Sequence, residues 1–491
     1  MLNLSRRSRT VKTVFVVLAS VALALPATAA ALPNPATSSV APDPSVLRAP
    51  DGSFHVYASS DNWDDGAGYR MMPHFRSFDL VEWQYVGDAF DQAPAWAPEG
   101  SFTWAPDVHV IYGEYRMYYT TGGATPCIGM ATAPSIDGPW TDLGHAIVCM
   151  GDGYDPALDP MDPFVDFSGD APVMYMGNFE GVHAVEMNAE GTALTGDAVE
   201  VAGEGFESPL LVQRNGMTHI FLSSGNCCTG EASQYHVVAG RGEGPLGPFV
   251  DREGRDLRDG GGDTVLEGNA QWVGPGHPDV VTDDAGQDWM LYHAAPRGAA
   301  TLPNGIQRRQ LLVDRLDWVD GWPRIADGSP TTNRPADPEV SLPVRLDRRG
   351  DLQLTRTEGD RVIDVPATLA STGDAFGGLV WATLTGPDKQ EVRVPIRTAD
   401  ADVAEQVVGV EAGQSLAPDY SLVLPDGLAP GQYELALHIG GQAGVAQEAA
   451  VYGVRIDERG IPVPDPLGSL PVGSNFLDIG SLSSAAGSLG G

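Results

Sequence analysis

At 491 residues the chain is too long for one ordinary hydrophobic core and is expected to form two or three domains. Its 65 acidic against 29 basic residues give a formal net charge of −36. A surface of that sign, with no basic patch to displace counterions, argues against nucleic acid and anionic membranes as partners and suits a neutral substrate such as a polysaccharide.

Residues 1–29 carry Arg6, Arg7, Arg9 and Lys12, then an apolar run over 14–25 and the small-residue pattern Ala27-Thr28-Ala29, the layout of a cleavable secretory signal. The apolar run is shorter than the roughly 20 residues a bilayer span needs. The mature protein is therefore expected to be secreted and extracellular, without membrane insertion, and monomeric. An oxidising destination makes a Cys127–Cys149 disulfide the expectation, while the adjacent Cys227 and Cys228 either form a vicinal bridge or stay reduced. Zinc has little support, because no histidine stands at the usual ligand spacing.

Residues 30–40, rich in Ala, Pro, Ser and Thr, read as a flexible lead-in. From 41 to 325 the pattern is all-β. Short β-branched or aromatic runs, such as FHVYA, YRMYYT, VMYM, HIFL and WMLYH, alternate with Gly, Asp, Asn and Pro turns, and no 3.6-residue period is sustained. A polar or acidic group followed by an apolar strand recurs at Asp43, Asp107, Asp162, Glu207 and His277, with gaps of 64, 55, 45 and 70 residues. Each gap accommodates a four-stranded blade with its loops, so the spacing predicts a five-bladed β-propeller with these positions converging at one end of the axis. Residues 326–342 form a linker rich in Pro, Asp, Thr and Ser. Residues 343–457, with stretches such as EVRVPI and YELALH, predict an immunoglobulin-like β-sandwich in a structural or spacer role. Residues 458–491 are too poor in large apolar side chains for a core and are expected to be a disordered tail.

Three carboxylates brought together at Asp43, Asp162 and Glu207 would supply what glycoside hydrolysis needs: an ionised one to activate water, a protonated one to donate to the leaving oxygen, and a third whose charge raises the acid's pKa. Trp104 and Phe102 offer flat faces to border a sugar cleft. The segments PDPSVLRAPDGSFHVYAS, SFDLVEW, FTWAPDVHVIYGEYRMYYT, MDPFVDFSGD, FESPLLVQRNGMTHIFLSSGNCC, WVGPGHPDVV and DWMLYHA follow one another in an order that resembles glycoside hydrolase family 43, and most of all its endo-1,5-α-L-arabinanases. The resemblance covers about residues 41–325.

It implies a five-bladed propeller that hydrolyses glycosidic bonds with inversion. Carried over residue by residue, Asp43 matches the general base, Asp162 the carboxylate that tunes the acid and orients substrate, and Glu207 the general acid. His277 matches a histidine beside a metal ion, usually calcium, and no organic cofactor is implied. Pro42 departs from the pattern, since many arabinanases carry His there, and a second Asp-Pro at Asp159 leaves a three-residue shift of the tuning role open. Two other readings use the same features. An exo-acting arabinofuranosidase or β-xylosidase would employ the same carboxylates, and a non-catalytic glycan-binding propeller would need none of them in position.

Overall fold

The computed structural model describes residues 34–154, 158–332, 338–340, 344–350, 352–355, 361–371, 375–387, 389–399, 401–441, 448–457 and 462–464. The expected signal segment and nearly all of the expected tail lie outside them. The fold is all-β, and among the described residues only the single turns Gly230–Ala232 and Leu257–Asp259 are helical. Among the described residues no helix is long and apolar enough to cross a membrane.

Five antiparallel sheets follow one another, each built of strands taken in chain order. Sheet I comprises Ser45–Arg48, Phe54–Tyr57, Pro73–Ser77 and Gln84–Asp88; sheet II comprises Thr103–Ile111, Glu114–Thr121, Cys127–Ala133 and Thr141–Asp142, with Val148–Cys149 also on its third strand. Sheet III comprises Phe164–Asp166, Val173–Gly177, Val182–Glu186 and Val199–Ala202; sheet IV comprises Phe206–Arg214, Met217–Ser224, His236–Gly242 and Asp263–Leu266. Sheet V comprises Trp272–Thr282, Asp288–Pro296, Gln310–Val319 and Trp322–Ile325.

Second strands such as Phe54–Tyr57 and Val173–Gly177 are buried at every residue, because each sheet is covered on both faces. The covering is done by neighbours. Met117 and Tyr57 join sheets I and II, Val165 and Met130 join II and III, and Tyr175 and Leu211 join III and IV. Leu210 and Tyr292 join IV and V, and Val56 and Leu291 join V back to I, so the apolar contacts close a ring.

The chain preceding sheet I seals that ring. Ala36 and Ala41 donate main-chain N–H groups to the carbonyls of Leu311 and Arg309, both at 2.8 Å, and the buried Asn34 side chain donates to Val313 O at 3.3 Å. Residues 34–40 are thus not a flexible lead-in. Their small and polar composition hides a strap that completes the backbone hydrogen bonds of sheet V. The first part of the expected linker is likewise engaged: Gly328 O accepts from Glu267 N (2.9 Å) and Thr332 O from Asn34 N (3.2 Å).

Beyond it, a seven-stranded and a six-stranded sheet enclose one core, with Ile363, Val365 and Leu422 of one facing Val380, Leu435 and Leu437 of the other. This second unit rests on sheet I. Phe78 packs against Leu379 and Trp381, and Gly377 N donates to Asp51 O at 3.0 Å. A Cβ on Gly377 would lie 2.6 Å from the Phe78 ring, so glycine is what permits the close approach.

Candidate active site

Every first strand of the ring carries, at its start or within it, the same backbone event, a residue at positive φ followed by proline. The five are Asp43 (φ 53°), Ala105 (44°), Asp162 (51°), Ser208 (50°) and His277 (53°), preceding Pro44, Pro106, Pro163, Pro209 and Pro278. The pairing breaks register at this point in sheets II, IV and V, the signature of bulges that re-aim side chains. A non-glycine residue in the left-handed region is strained and needs support from its surroundings. That support comes from the second strand of the preceding sheet or, in sheet I, from Ser59 just beyond it. Asp43 N donates to His293 Nδ1 (3.1 Å), Ala105 N to Ser59 Oγ (2.7 Å), Asp162 N to Thr120 Oγ1 (3.1 Å) and His277 N to Ser223 Oγ (2.8 Å).

In sheet III the equivalent of Thr120 and Ser223 is Gly177, where a Cβ would come within 2.2 Å of Gly181 O. The Ser208 N–H faces the Asp162 carboxylate instead and weakly opposes the rise of its pKa. One layer further in, residues after the prolines tie neighbouring strands: Val108 N donates to Ser45 Oγ (3.1 Å), Val165 N to Asp107 Oδ2 (2.8 Å) and Val46 N to Asp279 Oδ2 (2.7 Å). Asp107, expected at the convergent end, is therefore a strand tie that also bonds His109 at 2.7 Å, and Ala105 holds the equivalent place.

Asp43, Asp162, Glu207 and His277 line one cleft of about 700 Å³, together with Trp104 and Phe102. Asp159, the alternative to Asp162, does not line it. The carboxyls differ sharply in state. Burial alone would push Asp43 up, but the Arg309 guanidinium, Nη1 at 3.0 and 3.2 Å from its two oxygens, holds it well below the usual carboxylate range; His277 Nδ1 lies 3.4 Å from Oδ1. Glu207 is 8% exposed, and burial, opposed by a hydrogen bond from Tyr235 Oη (2.6 Å), pushes it up to about 7. Asp162 is raised as well, by burial first and then by the charges of Glu207 and Asp43. One site thus holds an anionic carboxylate and a pair that retains a proton near neutrality.

The side chains are fixed by glycines and aromatics. Trp104 lies over Gly122, where a Cβ would meet its ring at 2.4 Å, and Tyr235 lies over Gly276, where a Cβ would meet it at 2.1 Å. Phe179, Asn226, Thr229 and the Cys227–Cys228 pair complete the cleft wall. Cys227 and Cys228 are disulfide-bonded to each other, and Cys127 is bonded to Cys149 as expected.

The family profile for glycosyl hydrolases family 43 matches residues 32–323. The chain belongs to glycosyl hydrolase family 43. It is a glycoside hydrolase. The extracellular endo-α-(1→5)-L-arabinanase 1 of Bacillus subtilis is 30% identical over 282 residues, 54% of this chain and 83% of that protein. The extracellular exo-α-(1→5)-L-arabinofuranosidase ArbA of Cellvibrio japonicus is 28% identical over 286 residues, 51% and 79% of the two chains. Among solved structures, the family 43 endo-arabinanase of Bacillus licheniformis aligns at a TM-score of 0.50 with 26% identity, covering 58% of this chain and 98% of that one.

Several residues of this family 43 site escaped sequence reasoning. Arg309 stands 266 positions from Asp43, in a run of four cationic or amide side chains (307–310) with no local sign of which one turns inward. Asp61 lies 3.8 Å from Arg309 Nη2, and burial, opposed by Arg309, pushes it up to about 6. Tyr235 and His293 are invisible as chemistry until the fold places them. For a metal, His277 offers one donor: burial keeps its ring neutral, with the pKa lowered to about 4, and with Nδ1 turned to Asp43 and Asp162 the lone pair falls on Nε2. Among the described residues the grouped set of three metal-capable side chains lies elsewhere, at His55, His74 and Asp137.

Proposed function

We propose that this glycoside hydrolase is a secreted, inverting endo-arabinanase, a five-bladed propeller carrying an immunoglobulin-like sandwich, that cleaves α-1,5-linked arabinofuranosyl chains. The observation that carries the reading is the divided state of the carboxyls in one cleft: Asp43 anionic beside Arg309 and Glu207 protonated to about pH 7. Asp43 takes a proton from a water that attacks the anomeric carbon. Glu207 gives its proton to the departing glycosidic oxygen as that bond breaks. Asp162, itself raised by burial and by the charges of Glu207 and Asp43, shares the retained proton with Glu207 and orients substrate, while the charges of Asp43 and Asp159 add to burial in raising Glu207. Trp104 and Phe102 supply apolar faces for the sugar rings.

Arabinan is favoured by the relatives, which are named for endo- and exo-acting enzymes on the α-(1→5) linkage, and two of them are named extracellular. If a calcium ion is held here, His277 Nε2 would be a protein ligand and water oxygens would fill its other positions; it would add positive charge near Asp43 and Asp162. Prolonged chelation is then expected to lower activity or Tm, and indifference to it would remove the metal from the account. The experiment for the main reading is time-resolved product analysis on linear α-1,5-arabinan. Short oligosaccharides appearing first support endo action. Monomer or one fixed small product from the outset would make the enzyme exo-acting, and no hydrolysis would overturn the arabinan reading.

A further inference from the structure

A second cavity, of about 610 Å³, adjoins the catalytic cleft, and the two share one residue, Tyr69. Tyr69 is 45% exposed, unusual for a large aromatic side chain, yet it is held in place. Its ring lies 4.4 Å from that of Phe102, centroid to centroid, and its strand pairs with Asp61–Asn62, so that Asn62 opposes Tyr69. That hairpin is braced to sheet V by Asn304, whose side-chain amide donates to Asn62 O and Oδ1, both at 3.2 Å. Its other strand carries Asp61 toward Arg309, so one hairpin reaches from the base end of the catalytic cleft to the mouth of the second cavity.

The far wall of that cavity is residues 91–101, a stretch of turns rich in Pro and Ala. It is anchored rather than loose. Trp96 within it donates Nε1–H to Asp142 Oδ1 (3.0 Å) and lies over Gly129, where a Cβ would sit 2.7 Å from the ring, and the preceding Phe90 packs on Tyr119 at 5.4 Å. Asp91, Gln92, Glu99 and Ser101 line the cavity and offer polar groups suited to sugar hydroxyls, while Met71 offers an apolar surface beside Tyr69.

We propose that Tyr69 is the platform of a distal glycan subsite. A neutral polysaccharide chain bound at Asp43 and Glu207 continues across the Tyr69 face into the cavity walled by residues 91–101. An exposed, rigid aromatic face suits the apolar face of a sugar ring, and acceptor groups around it suit hydroxyls but repel an anionic glycan. The proposal deepens the polysaccharide reading and rests on it.

The test compares kcat/KM for the full-length enzyme and its Y69A and Y69F variants over α-1,5-arabino-oligosaccharides of increasing length and the polymer, with β-1,4-xylo-oligosaccharides run in parallel. The loss in Y69A is expected to grow with chain length, reaching about tenfold on the polymer, and Y69F, which keeps the ring, is expected to recover most of it. A loss of the same size at every length, or none at any, overturns the platform. A parent enzyme active only on the xylo series overturns the arabinan reading and leaves Tyr69 to be judged on that series. Activity on neither series overturns both.

Discussion

Tyr235→Phe removes one oxygen atom from the centre of the site and leaves the ring that packs over Gly276. The hydroxyl lost is the one that donates to Glu207 Oε1 at 2.6 Å. A donor hydrogen bond stabilises the carboxylate and not the carboxylic acid, so in the native enzyme it holds the Glu207 pKa down against the upward push of burial. Deleting it must raise that pKa. A hydrogen bond to a charged group contributes about 1.5–3 kcal/mol, which at about 1.4 kcal/mol per pH unit is a displacement of about one to two. In the proposed mechanism Glu207 acts as acid only while protonated, so kcat/KM of the parent enzyme should fall tenfold per pH unit above about 7. In Tyr235→Phe that alkaline limb is expected at about pH 8 or higher. The assay is initial-rate hydrolysis of soluble arabinan from pH 4 to 10 at constant ionic strength. An alkaline limb that stays in place, or moves to lower pH, would refute the role given to this hydrogen bond.

Glu207→Gln should lower kcat by about 10² to 10⁴ on the polysaccharide and by less on an aryl glycoside with a good leaving group, as measured by parallel rate determinations. The same variant should be more heat-stable than the parent at pH 8 but not at pH 4. A carboxyl raised from 4.5 to about 7 on folding disfavours the native state increasingly as pH rises through that window, by up to about 3 kcal/mol; calorimetric scans at the two pH values decide it. Arg309→Gln takes away the main charge that keeps Asp43 ionised, so the acid limb of the pH profile should move to higher pH and the rate at its optimum should fall. Gly122→Ala would set a methyl 2.4 Å from the Trp104 ring and should raise KM for oligosaccharides through displacement of that ring, while the circular dichroism stays native.

How far the sequence discloses this site depends on whether the chemistry lies in the side chain or in the backbone. Asp43, Asp162 and His277 stand before prolines and Glu207 one place earlier, so their spacing could be read as a repeat. The event that repeats is a positive φ ahead of a proline, and two of its five positions, Ala105 and Ser208, carry no carboxylate or imidazole. A search for acidic residues therefore selects Asp107 in sheet II, two places out of register. Arg309, Tyr235 and Asp61 are ordinary strand and loop residues until ring closure brings sheets I, IV and V around one cleft. The strap at 34–40 is legible only in its hydrogen bonds, because Ala, Pro and Ser can satisfy a strand's backbone as well as they can fill a linker.

The most direct test is the anomeric configuration of the first product released from linear α-1,5-arabinan, followed by proton NMR within the first turnovers. If Asp43 activates water while Glu207 protonates the leaving oxygen, the new reducing end must appear first as the β-anomer and only then mutarotate. First appearance of the α-anomer would mean retention through a covalent intermediate, and would contradict the assignment of Asp43 as a base.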